Sequence, residues 1–286
     1  MLMMGAGSAA KRALSTKSNP YTVLSTDQHA TWNNNKHVPH SRHATWNYEG
    51  GHVARQARMR LVGIDQLLHE EKDANYFAGG TLPLSDDEKR KIKLDEVAYF
   101  SLCPKTHADQ ITEAIASLSC LVSHDTEAKP TITDACAGVG GVSMSLVMSD
   151  NFATVNSVEY DVNRAALLTN NLQAIRRNGN DTESRVTHGS YLDVMHSLEQ
   201  DVVFFDPPWG GPGYKYYENA VLFLGKTHLA TIANDLLMQD RAKYVVLRAP
   251  ENFDLQYFVQ CLHNKICCKE LLNLDRTLVY AFSKTH

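Results

Sequence analysis

From Pro130 onward, short apolar runs alternate with segments whose apolar residues recur every three or four positions. The runs predict strands near 131–136, 154–159, 184–188, 201–206 and 243–248, with a final pair near 264–271 and 276–282 turning at Asn273 and Asp275. The periodic segments predict helices near 141–149, 162–176, 218–238 and 253–263. Alternation of this kind requires a mostly parallel sheet, so the expected fold is α/β, Rossmann-like and doubly wound, with seven strands. Residues 61–120 read as a small helical annex. Ile64, Leu67 and Leu68 form one apolar face, Ser85-Asp86-Asp87-Glu88 opens a helix as a capping box, and Ile111, Ile115 and Leu118 recur after Pro104. Residues 1–60 show no sustained period. The chain therefore divides into an arm at 1–60, an annex at 61–120 and a main domain at 121–286.

Composition changes this picture mainly at the arm. The whole chain carries a net charge of −4, but residues 1–60 hold eight Lys/Arg against Asp27 and Glu49, leaving the arm at +6 and the remainder at −10. A basic arm on an acidic body suits a polyanion such as RNA; it equally suits a solvated tail. The arm repeats His-Ala-Thr-Trp-Asn at 29–33 and 43–47 and holds five histidines, without the spaced acidic or cysteine co-ligands of a metal site. Low-complexity linker is the reading favoured there, and no metal is expected. The first 26 residues contain no acid, so a mitochondrial transit peptide is compatible as well. No apolar run reaches the ~18 residues of a membrane span. Six cysteines lack any CxxC pair, as expected of reduced core residues in an intracellular protein, nuclear or cytoplasmic.

Two strand ends carry the first candidate chemistry. The first strand runs into Asp134-Ala135-Cys136-Ala137-Gly138-Val139-Gly140-Gly141, where glycines let the backbone approach a ligand at a helix N-terminus. Gly141 equally suits helix packing. Asp134 is placed to receive the ammonium end of an amino-acid ligand. Glu159 ends the second strand about 20 residues past the glycines, the spacing of a carboxylate that binds ribose hydroxyls. Asp161 reads as the cap of the following helix. Tyr160, and Ser190 and Tyr191 after the third strand, complete the expected binding set with Cys103 and Ala135. Either Ser190 or Asp193 is the candidate for an adenine contact.

The fourth strand is an apolar run ending in Asp206-Pro207-Pro208-Trp209. An acid, a carbonyl before a second proline and an aromatic face suit an exocyclic amine. The Asp206 carboxylate and the Pro207 carbonyl accept its hydrogens, and Trp209 stacks on its ring. Two prolines stiffen the turn toward the in-line geometry of group transfer.

The extended segment Pro207-Pro208-Trp209-Gly210-Gly211-Pro212-Gly213-Tyr214 resembles the trimethylguanosine synthase family. Leu94-Asp95-Glu96 with Tyr99 to Lys105, Asp134 to Gly141, and Leu247 to Asp254 are similar to other segments of that family. The resemblance spans about 92–282. It implies S-adenosylmethionine as cofactor, 7-methylguanosine-capped RNA as partner and methylation of the guanine N2 amine. It also implies that Trp209 stacks on the methylated base and that Ser101 and Tyr214 approach the cap phosphates. Lys105, Arg248 and Asn252 complete the implied substrate-binding set. Two departures stand out: Asp206 occupies a place where Ser is frequent, and Arg248 lies one position from the family's Arg. The first favours an adenine-N6 methyltransferase as the alternative; a catalytically inactive RNA-binding protein on the same fold is the other.

Overall fold

The computed structural model describes residues 62–63, 77–95, 98–122 and 128–285. The arm expected over 1–60, its repeat and histidines, and the Ile64 to Leu68 face lie outside them.

The central sheet has seven strands: β3 (Thr131–Asp134), β4 (Thr154–Glu159), β5 (Glu183–His188), β6 (Val202–Phe205), β9 (Tyr244–Pro250), β10 (Ile266–Leu274) and β11 (Thr277–Lys284). They lie in the order β10-β11-β9-β6-β3-β4-β5. The pairs β3–β4, β3–β6, β4–β5 and β6–β9 are parallel, while β11 runs antiparallel to β9 and β10. The fold is thus the Rossmann-like sheet the pattern predicts. Val202–Phe205 is buried throughout because a central parallel strand is covered on both faces. β5 reads Glu-Ser-Arg-Val-Thr-His because it is an edge.

Helices cover both faces. On one lie α3 (Lys105–Val122), α4 (Gly141–Met148) and α5 (Val162–Ala174), with Ile111, Ile115, Leu146 and Leu168 in one core with Ile132. On the other lie α6 (Tyr191–Val194), α7 (Leu229–Met238) and α8 (Leu255–Gln260), around Val203, Phe205, Leu236 and Phe258. The helix expected over 218–238 begins only at Leu229. The preceding residues form a short antiparallel pair, β7 (Phe223–Leu224) with β8 (Thr227–His228), around Gly225 at φ +59°.

The annex mixes helix and strand. β1 (Val62–Gly63) pairs antiparallel with β2 (Lys93–Leu94). α1 (Asp86–Lys91) carries the expected capping box: Ser85 Oγ accepts from Glu88 N at 3.2 Å, and Ser85 N donates to Glu88 at 2.7 Å. A short α2 (Ala98–Ser101) precedes α3. Phe77, Leu84, Ile92 and Leu94 are buried in the same core as Ile132, so the annex and the sheet share their apolar interior. No described helix is long and apolar enough to cross a membrane.

Candidate active site

The strand order reverses at β3, with β4 on one side and β6 on the other, which opens a crevice at their carboxyl ends. Asp134, Glu159 and Asp206 stand at or just beyond those three ends. Hydrogen bonds stitch the ends together: Ala135 N donates to Phe204 O, and Ala137 N to Val158 O, each at 2.9 Å. Gly138 (φ +57°) and Gly140 (φ +102°) adopt left-handed backbone between them and α4. A Cβ on Gly138 would meet nothing within 4 Å, so that turn faces open space. A Cβ on Gly141 would press within 2.8 Å of Leu102 and 3.3 Å of the Cys103 backbone. Gly141 therefore admits the chain entering α3, which is its packing role.

Asp134 is 2% exposed. Its Oδ2 accepts from Ser143 Oγ at 2.6 Å, Ser143 Oγ accepts from Ser157 Oγ at 3.0 Å, and Oδ1 is buried with no partner among the described residues. Burial lifts its pKa from 3.8 to about 7; Ser143 opposes the shift and the Asp206 charge adds to it. A buried carboxylate oxygen without a donor suits an incoming ammonium group. Glu159 holds the turn itself: Oε2 accepts from Gly138 N at 2.9 Å and Oε1 from Asp161 N at 2.8 Å, with Arg164 Nε 3.4 Å away. Oε2, with one donor, keeps a lone pair for a hydroxyl. Asp161 caps α5 as expected, through Asn163 N and Arg164 N.

The second half of the crevice is the turn after β6. Pro207 is buried and Pro208 exposed. Trp209 meets Tyr214 edge to face at 5.1 Å, and the Arg248 guanidinium stands 4.9 Å over the indole. Arg248 Nη1 donates to Asp206 Oδ2 at 2.7 Å. Burial raises the Asp206 pKa and Arg248 pulls it down, with burial the stronger. Burial works against the Arg248 charge too, but Asp206 more than restores it. Asn252 Nδ2 donates to Tyr214 O at 2.9 Å and Tyr217 O at 2.8 Å, pinning the 3-10 turn Gly211–Tyr216.

Four of the expected site residues have partners within the protein. Lys105 is 2% exposed and ion-paired with Asp109, so it is part of the interior and out of reach of a phosphate. The Arg248 guanidinium meets the Asp206 carboxylate and the Trp209 ring. Tyr191 is 2% exposed, packs against Phe205 at 5.3 Å and donates to Gln200 Oε1 at 3.3 Å, so its ring belongs to the core. Asn252 reaches backbone carbonyls and shapes the loop. Cys103 is buried near Asp134, Asp206 and Arg248, and burial pushes its thiol up to about 12. Ala135 is buried, Tyr160 is 66% exposed, and Ser190 precedes α6 without a side-chain cap bond. Ser101 is exposed at the end of α2, adjoining the Leu102-Cys103 segment that covers Gly141.

Sequence reasoning missed Ser143, Ser157 and Asn171. Asn171 is fully buried; Nδ2 donates to Val139 O in the glycine turn at 2.9 Å and to Lys93 O at 2.8 Å, and Oδ1 accepts from Lys93 N. It ties the annex strand to the glycine turn. The signal was available: an Asn, and small polar residues in an otherwise apolar helix, need partners when buried.

A family model described as RNA cap guanine-N2 methyltransferase matches residues 129–275, more than half of the 286. The chain belongs to the RNA cap guanine-N2 methyltransferase family. The match runs from the residue before Pro130 to Asp275, and so contains Asp134, Glu159, Asp206, Trp209 and Arg248. This family member is a methyltransferase, and the family's chemistry implies S-adenosylmethionine as methyl donor. An uncharacterised protein of Acanthamoeba polyphaga mimivirus is 31% identical over 195 residues, covering 62% of this chain and 73% of that one. Trimethylguanosine synthase of Schizosaccharomyces pombe is 28% identical over 191 residues, covering 61% and 70%. A 4-amino-L-phenylalanine/4-methylamino-L-phenylalanine methyltransferase of Streptomyces pristinaespiralis is 34% identical over 167 residues, covering 57% and 47%.

Proposed function

We propose that this methyltransferase acts on the exocyclic N2 amine of 7-methylguanosine in RNA 5′ caps. The observation that carries the reading is the Asp206-Pro207-Pro208-Trp209 turn beside the buried Asp134, within a chain of the cap guanine-N2 family. S-adenosylmethionine supplies a methyl group on a sulfonium sulfur. The unpartnered Asp134 Oδ1 fits its ammonium, the open side of Gly138 fits its approach, and Glu159 fits its ribose. At the acceptor, Asp206 and the Pro207 carbonyl take the amine's two hydrogens, which turns its lone pair toward the methyl carbon. Methyl transfer would leave positive charge on the amine. Asp206, whose burial favours protonation, stands ready to take the proton. Trp209 orients the base by stacking on the face that Arg248 does not cover.

The basic arm would add affinity for the RNA chain beyond the cap, and an RNA substrate places the enzyme inside the cell, in nucleus or cytoplasm. The second reading is another aromatic exocyclic amine, adenine N6 above all. Asp206 favours it, and the Streptomyces relative, named for methylating an aryl amine, shows that such acceptors occur among similar chains.

Labelled S-adenosylmethionine, offered with 7-methyl-GTP, GTP, 4-amino-L-phenylalanine and an adenine-containing oligonucleotide, separates these readings. Methylation of 7-methyl-GTP should exceed that of GTP more than tenfold, because stacking of a cationic base adds ~1.4 kcal/mol or more. Trp209→Ala should lose most of that activity and Trp209→Phe keep part of it. Equal rates on GTP, or label recovered on adenine or the aryl amine, would sink the cap assignment and leave the methyltransferase standing.

A further inference from the structure

Asp206 and Arg248 sit on neighbouring strands. β6 and β9 pair in parallel register with Phe205 opposite Leu247, so Asp206 and Arg248 each lie one residue past a matched rung. Their side chains meet at 2.7 Å with only 16% and 9% exposed. The two positions at which the sequence departs from the trimethylguanosine synthase pattern are therefore one ion pair. The same guanidinium lies 4.9 Å over Trp209. Around this cluster hydrogen-bonding capacity is left unused. The Arg248 bond goes to Asp206 Oδ2, not Oδ1, and Arg248 Nε and Trp209 Nε1 are buried without partners among the described residues. Idle donors in a buried setting are costly, and a site that receives a planar polar ligand is a place where they persist.

We propose that Arg248 is a positioning residue of the transfer step, which keeps Asp206 ionised with Oδ1 available to the acceptor amine and fixes the Trp209 ring beside it. The proposal rests on the reading of Asp206 as the acceptor of the amine's hydrogens. A protonated Asp206 would offer a hydrogen where the amine needs a lone pair, so the charge state decides whether the amine is turned correctly. Asp134 on β3 and Asp206 are close enough that the charge of Asp206 helps to lift the Asp134 pKa, and Cys103 before α3 and Cys136 after β3 are buried thiols that burial pushes up, Cys103 to about 12, so neither carries charge. His107 on α3 faces Arg248, and burial and that guanidinium hold its pKa below the ordinary value, so it adds no cation at neutral pH. Tyr214 faces Arg248 as well. The charge that opposes burial at Asp206 is thus Arg248.

The test uses the full chain with Trp32→Phe and Trp46→Phe, leaving Trp209 as its single tryptophan. The emission of Trp209 is titrated with pH in the substrate-free protein, and kcat is followed with pH on the best acceptor. Arg248→Met should move the emission midpoint and the acid limb of kcat upward together by at least one unit, a tenfold rise in proton affinity. kcat at pH 7 should fall tenfold or more, recover in part toward pH 9, and change more than the acceptor KM. Arg248→Lys should keep both midpoints near their original values. Asp206→Asn should abolish the titration, which keeps the test decisive if Arg248→Met fails to fold. An unmoved midpoint in Arg248→Met, or a titration that survives Asp206→Asn, overturns the proposal. Because the emission titration needs no acceptor, failure of the cap reading would leave this result intact.

Discussion

A carboxylate that gives up its hydration and recovers less than it loses, as Asp134 does with the Ser143 hydroxyl and the Cys136 backbone, holds its proton more tightly than it would in water. With its pKa lifted to about 7 from 3.8, the folded protein binds that proton more strongly than the unfolded chain. The unfolded state therefore carries fewer protons between about pH 4 and 7. The stability of the cofactor-free protein should fall as pH rises through that window. Cofactor binding runs the other way. An ammonium group meets its match only when Asp134 is ionised, so binding expels a proton and the affinity for S-adenosylmethionine should rise from pH 5.5 to 7. Calorimetry in buffers of different ionisation enthalpy measures that proton directly. Asp134→Asn should bind more weakly and without pH dependence; a flat profile in the unmodified protein would remove Asp134 from the ammonium site. Asp134 was legible in the sequence because it precedes a glycine turn. The serines that set its proton affinity were not, because Ser143 lies nine positions on and Ser157 belongs to another strand.

The loop from Asp206 to Tyr217 takes its shape from a partner element. Asn252 holds two of its carbonyls, Ala220 N donates to Asn252 O at 2.8 Å, and Asp254 N donates to Ala220 O at 3.0 Å. The segment entering α8 thus clamps the loop that carries Trp209. Asn252→Ala removes both side-chain bonds at a cost of about 1–3 kcal/mol in loop order, the usual range for carbonyls left without a donor. Turnover should fall roughly tenfold or more, since a misplacement of about 1 Å suffices for that. The dissociation constant for S-adenosylmethionine should hold, because Asp134 and Glu159 lie on other strands. A matched loss of cofactor affinity would place Asn252 in the cofactor site instead. The same region shows where periodicity misleads. Val221, Leu222, Phe223 and Leu224 extend the apolar pattern of α7 backward, yet Gly225 at φ +59° turns the chain into a hairpin and Leu222 is buried against the sheet. Turn chemistry at Gly225-Lys226 outweighs an apolar run that both helix and strand could use.

Across the whole molecule, the sheet was legible because each buried parallel strand must be apolar and each crossover amphipathic. The attachment of the annex was not, because it depends on polar partners distant in sequence, such as Asp109 and Ser145, that meet only after folding. Its fastening point is Asp109, 1% exposed on α3. Oδ1 accepts from Lys105 Nζ and, at 2.7 Å, from Ser145 Oγ on α4; Oδ2 accepts from Leu82 N at 3.1 Å. Gly80 has no side chain at a point where a Cβ would overlap that carboxylate. A buried pair of this kind contributes modest net stability while intact, but breaking it strands a charge. Asp109→Asn keeps one acceptor oxygen, enough for either Ser145 or Leu82 but not both, and leaves the Lys105 ammonium buried against an amide. Burial already lowers the Lys105 pKa with Asp109 opposing, so loss of the partner leaves desolvation unopposed. The single variant should lose about 3–5 kcal/mol in denaturant unfolding. The loss should deepen as pH falls and the ammonium is forced to remain charged. Adding Lys105→Met removes the stranded charge and should recover a large part of the loss, with a higher Tm than Asp109→Asn alone. A double variant no more stable than the single one would show that the hydrogen bonds to Ser145 and Leu82, rather than the charge, hold annex and sheet together.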